Sequence, residues 1–201
     1  MTDTPLPQVD PLTIDAAQTV IAEHGLGGLT LERLAEAAGA SRMTLHRRHV
    51  TRRVVVDALL QRAADEYAAA LWPALTSPAT ADQRLSMALH AICTVADEHL
   101  ALLAGLFADT ESPFHSLADG STTDAETHDL FVAPLARLLR DGVSDGTLDH
   151  VDDPTETAAV LFNVIGWGYV HLRHAQHWPS ERARPAVVAL ATAALRPRQP
   201  D

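Results

Sequence analysis

Apolar residues recur along most of this chain every three or four positions, the spacing that lines one face of an α-helix. Positions 12, 14, 17, 20 and 21 keep that step and predict a helix over 12–24, stopped by Gly25 and followed by Gly27 and Gly28. Thr30 is placed to cap a second helix whose apolar stripe is Leu31, Leu34, Ala35 and Ala38 and whose stop is Gly39. Arg33 stands where a capping-box Glu would sit, so the box is incomplete. Ser41 can cap a third helix ending near Arg48. A fourth is predicted over 51–72, ending before Pro73, with apolar positions 55, 56, 59, 60, 63 and 67 that suit a connector packed on both sides. Next come a loop over 73–81 and one long helix over 82–107. The polar stretch 109–124 reads as a loop or broken helix, and 127–141 as a helix interrupted or started near Pro134. A connection over 142–153 leads to a helix that starts at Asp153-Pro154 and reaches about residue 177, and a last helix covers 180–195. The pattern is all-α, about nine helices and no strand.

Composition supports this. Hydrophobic residues at 47% and charged residues at 20% exclude global disorder, and 201 residues suffice for one or two small domains. Few aromatics and abundant Ala and Leu favour helix over sheet. The single cysteine, Cys93, rules out an internal disulfide. Residues 1–11 carry three prolines, no basic n-region and no apolar h-region, which predicts a flexible tail and no signal peptide. No apolar run is long enough for a bilayer, so a soluble, cytoplasmic protein with no membrane partner is expected.

The net charge of −11 argues against a nucleic-acid partner until its distribution is considered. Residues 40–62 hold six arginines against the lone acid Asp57, while residues 63–201 hold nineteen acids against eight arginines. Local charge decides phosphate binding more than the total does. The basic segment overlaps TLERLAEAAGASRMTLHRRH, residues 30–49, which reads as helix, glycine turn and short basic helix: a helix-turn-helix. Ala35 and Gly39 are small where the helices cross, and Leu34, Ala38 and Leu45 form the core between them. The second helix would expose Arg42, Met43, Thr44, Arg47 and Arg48. Ser41 and Thr44 can donate to phosphates or base edges, and Arg42 and Arg47 can reach phosphates or grip guanine. Thr51 and Arg52 would form a second phosphate clamp.

The stretch 12–60 resembles the N-terminal domain of TetR-family regulators. The matching pieces are Ala17, Gly25, Leu29-Thr30, the run LAEAAGAS over 34–41, and Thr44-Leu45. The resemblance implies a DNA-binding domain over 12–50, a connector helix over 51–72, and a ligand-binding and dimerisation domain over 73–201. It also implies that Thr30 and His46 belong to the DNA-binding set. Against the family pattern, His46 stands for a phosphate-contacting Tyr, His49 for a core Phe, Met43 for a common Gly, and Arg52 for Lys. Val54–Val56 replaces a more leucine-rich opening of the fourth helix. The implied protein is a repressor that grips operator DNA as a homodimer and leaves it on binding a small-molecule effector.

The helix predicted from 154 is apolar nearly all round between Ala158 and Val170 and needs two partners, its own domain and a second subunit. With the last helix it would form the dimer interface. Candidate effector contacts are His90, Cys93, Thr94, Asp97, Phe107, Phe114, Phe131, Asn163, Trp167 and His171. Core packing competes for each of them, least for Asn163, a polar side chain in an apolar run that needs a partner. His171, His174 and His177 recur at i, i+3 and i+6, but the outer two lie apart around a helix and no cysteine adjoins, so no metal is expected. No cofactor is expected either. His90 and Cys93 lack an orienting third group, and no phosphate loop, HExxH or serine elbow is present, which argues against an enzyme. The remaining alternative is a helical binding or interaction protein whose DNA-binding domain has lapsed, with His46 and His49 as its motive.

Overall fold

The computed structural model describes residues 9–108 and 130–197, and these form nine α-helices and no strand. Helix α1, Pro11–His24, starts one residue before the predicted bound. Asp10 caps it, accepting from the Thr13 amide and hydroxyl at 3.0 and 2.8 Å, so 9–11 are ordered structure rather than tail. Gly25, at φ +69°, ends α1, and a 3₁₀ turn over Leu26–Gly28 leads to α2, Leu31–Ala37. Helix α3 is Arg42–Arg47 and α4 is Arg52–Thr76.

Pro73 does not end α4, as the pattern predicts, but lies inside it. Burial of Leu71 and Ala74 in the second core outweighs the lost hydrogen bond. The expected loop shrinks to 77–80.

The long helix predicted over 82–107 is two helices, α5 (Ala81–Glu98) and α6 (Leu100–Ala108), meeting at 85°. The break falls at His99, whose buried ring hydrogen-bonds Glu66 of α4 at 2.5 Å. No single helix among the described residues is long and apolar enough to cross a membrane. Residues 109–124, Phe114 and the start of the helix predicted from 127 lie outside the described residues.

Helix α7 spans Ala133–Asp145, running past its expected end because Gly142 is buried against Leu148 and the αL glycine cap is Gly146, at φ +75°. Helix α8, Pro154–His174, is capped by Asp153, which accepts from the Thr155 and Glu156 amides. It stops short of 177, where His177 sits at φ +53°. Helix α9 is Ser180–Ala193.

Two cores result. The first gathers Ala17, Val20, Ile21, Leu29, Leu34, Leu45, Val50, Val55 and Leu59 from the N-terminal helices and the start of α4. Leu102 and Leu106 of α6 complete it. The second is built on Tyr67 and Leu71 of α4 with α5, α7, α8 and α9 around them. Helices α4 and α6 therefore belong to both.

Candidate nucleic-acid interface

Three threonine and serine caps shape the basic end of the molecule. Thr30 accepts from the Arg33 amide, Ser41 from the Thr44 amide at 3.1 Å, and Thr51 from the Val54 amide at 3.2 Å. Ser41 and Thr44 also hydrogen-bond through their hydroxyls at 2.9 Å. Leu45 turns inward and is fully buried against Leu34, so Arg42, Met43, His46 and Arg47 are left on the outside. The turn between α2 and α3 needs Gly39, at φ +61°.

The arginines are not equally free. Arg42 pairs with Glu32 at 2.7 Å and Arg48 with Asp10 at 3.0 Å. Arg52 donates to the Leu26 carbonyl at 3.2 Å, tying α4 to the 3₁₀ turn. Arg62, further along α4, binds Asp15 and Gln18 of α1. The Asp10 carboxyl lies below its usual range, chiefly through the Thr13 hydroxyl and, more weakly, Arg48, against an opposing cost of desolvation. The pairs at Glu32 and Asp10 are solvent-exposed, worth about 0–1 kcal/mol each, so an incoming phosphate can displace them. Arg47 has no hydrogen-bonding or ion-pair partner among the described residues.

One expected feature differs. His49 does not take the core place of an aromatic ring: it is exposed at φ +56° and turns the chain, and Val50 fills the core instead. Arginine partners Glu32 and Asp10 were missed in the sequence because pairs ten and thirty-eight residues apart have no local periodicity.

The effector candidates do not gather around one cavity. Phe107 stacks on Trp167 at 3.7 Å between centroids, and Phe131 packs with Tyr67 and Phe162, two rings the pattern did not single out. Tyr67 donates to the Phe131 carbonyl at 3.0 Å, and its burial raises its pKa. Asn163 finds its partner within its own helix, donating to the Ala159 carbonyl at 2.8 Å, which removes the argument for a pocket contact. Thr94 likewise donates to the His90 carbonyl, and His90 and His171 are exposed. Cys93 is buried, and desolvation pushes its thiol up to about 12, so it is an inert core residue.

Asp97 joins three helices instead of facing a cavity. It accepts from Tyr169 and Arg173 of α8 at 2.6 Å each, and from Ser180 and Arg184 of α9 at 3.0 and 2.9 Å. Burial alone would raise its pKa, but these four donors together hold it below the ordinary carboxylate value. A crevice of about 60 Å³ between α1, α4 and the α5–α6 bend and a cleft of about 340 Å³ beside the start of α5 contain none of the effector candidates. No group of three metal-ligating side chains occurs among the described residues, and His171, His174 and His177 do not converge.

A capped helix-turn-helix with an exposed basic second helix, set on an all-helical body, defines a DNA-binding transcriptional regulator. Residues 14–59 match the family model of bacterial regulatory proteins of the tetR family. Solved structures share the fold over nearly the whole length. The ketosteroid transcriptional regulator of Mycobacterium tuberculosis superimposes with a TM-score of 0.68 at 17% identity, over 97% of this chain and 100% of its own. A TetR-family regulator from Thermus thermophilus gives 0.66 at 18%, covering 92% and 97%. A TetR-like regulator from Rhodococcus sp. gives 0.66 at 17%, covering 91% and 93%. A search of curated proteins finds no match to the sequence.

Proposed function

We propose that this regulator is a homodimeric repressor released from its operator by a small molecule. The observation that carries the DNA half is the outward face of α3, where Arg47 is unpaired beside Met43, His46 and the hydroxyls of Ser41 and Thr44. Thr30, Arg42, Arg48, Thr51 and Arg52 border that face and serve as phosphate contacts, freed from weak surface pairs where necessary. Because Val50 occupies the core in place of His49, the departure at 49 does not weaken the domain, which favours a working DNA-binding domain over a lapsed one.

The dimer half rests on α8 and α9. Val160 and Val164 are 56% and 54% exposed and Leu190 is 73% exposed, an apolar surface that a second copy would cover. Residues 12–50 then act as the DNA-binding domain, 51–72 as the connector and 73–201 as the sensing and dimerisation domain. Helix α6 offers the route between sites: Phe107 meets Trp167 in the sensing domain while Leu102 and Leu106 sit in the DNA-binding core. An effector that favours one position of α6 would shift the spacing of the recognition helices away from the ~34–36 Å of one DNA turn.

The test is a titration of the purified protein against its own upstream region at two salt concentrations, beside Arg47→Ala. Selective binding that weakens with salt, and weakens further at least about tenfold in the variant, is expected. Equal affinity of both proteins for every sequence would overturn the reading.

A further inference from the structure

The exposed arginines of α3, its C-cap and the start of α4 divide by what the fold has already engaged. Arg42 is held by Glu32, Arg48 by Asp10, Arg52 by the Leu26 carbonyl and Arg53 by Asp57. Three residues of the outward face of α3 are unused: His46, Arg47 and Met43. Met43 is 74% exposed and outside the apolar core of its domain, which Leu34, Leu45 and Val50 close without it. An exposed methionine on a six-residue helix contributes nothing to the packing of that helix. Its thioether chain is unbranched, polarizable and adaptable, suited to an apolar partner of small size. A major-groove edge offers one such apolar group, the C5 methyl of thymine.

Met43 and Arg47 are four residues apart on one helix, so they share a face with Cβ atoms about 5–6 Å apart. Base pairs rise about 3.4 Å. The two side chains therefore reach positions one or two base pairs apart.

We infer that Met43 is a specificity-determining residue that reads a thymine methyl group, with Arg47 gripping a guanine one or two base pairs away. This rests on the reading of α3 as the recognition helix. The identity of the base follows from the chemistry of the side chain: a thioether has no hydrogen to donate to guanine or adenine N7, and its sulfur is only a weak acceptor for the cytosine or adenine amino group, so its apolar surface suits the thymine methyl best.

The test starts with selection of an operator from a random duplex library by the full-length protein. Each thymine of a half-site is then replaced by uracil, which removes one methyl group and leaves the pairing intact. One thymine per half-site, within two base pairs of a guanine, should weaken binding about fourfold when replaced, the size expected for uncovering one methyl group. Met43→Ala should bind the unmodified operator about as weakly and show no further loss on uracil. Met43→Leu should regain part of the difference. Circular dichroism and dimer mass should be unchanged in both variants, because the side chain lies outside the core. A uracil penalty that persists in Met43→Ala, or no thymine with such a penalty, would overturn the assignment of Met43 while leaving DNA recognition by α3 standing. Failure of the wild-type protein to select any sequence would overturn both.

Discussion

At the scale of single residues, Asp97 shows how a side chain's surroundings settle its role. Its spacing on α5 beside His90, Cys93 and Thr94 suggested a ligand contact, but two arginines, a tyrosine and a serine from α8 and α9 converge on it. Asp97→Asn would leave Arg173 and Arg184 without their counter-charge and is expected to cost about 2–3 kcal/mol, reduced from a fully buried pair by partial exposure. The pH dependence has a definite sign. A carboxyl whose folded pKa is depressed stabilises the fold above its unfolded pKa and loses that contribution as pH falls through the folded value. The wild-type advantage over Asn should thus be complete near neutrality and shrink below about pH 4. Urea unfolding of both proteins from pH 7 to pH 3 measures it, and a constant difference over that range would show that the carboxylate charge is not the stabilising feature.

At the scale of elements, α6 separates what periodicity can read from what it cannot. Its apolar residues continue the helical step of α5, so the pattern alone reads one helix. The chain bends because Leu102 and Leu106 can enter the N-terminal core only after a turn, and His99 meets Glu66 at that corner. Gly105 is where α6 comes closest to the 3₁₀ turn: a Cβ there would lie 2.4 Å from the Cβ of Leu26. Gly105→Ala should therefore destabilise the fold by about 1–3 kcal/mol and weaken effector control of DNA binding more than DNA binding itself. A melting temperature equal to wild type would show that α6 does not pack there. The same comparison explains Pro73: a proline predicts a helix end from local sterics, but Leu71 and Ala74 are fixed by a core the local rule does not see.

At the scale of the whole molecule, the proposed dimer would cover the exposed apolar residues of α8 and α9. Val164→Glu places a charge in the middle of the exposed apolar face and should convert a dimer into a monomer in light scattering. Operator affinity should fall steeply with it, since two half-sites no longer bind as one unit. A stable dimer in this variant would place the interface elsewhere. The charge distribution belongs to this scale too: the acidic residues 63–201 repel DNA, which leaves the basic end as the surface that approaches it.

Several things followed from the amino-acid sequence by itself: the all-helical class, the two caps at Thr30 and Ser41, the glycine turn at Gly39 and the basic face of α3. Each depends on neighbours within four residues, where propensity, capping and helical spacing act. Tertiary structure decided the rest. The pairing of Arg42 with Glu32, the outward turn of His49 as Val50 takes the core, the corner at His99 and the convergence of α8 and α9 on Asp97 all join residues remote in sequence or balance local preference against burial. Contacts of that kind have no period along the chain, and they emerge only when the helices are packed.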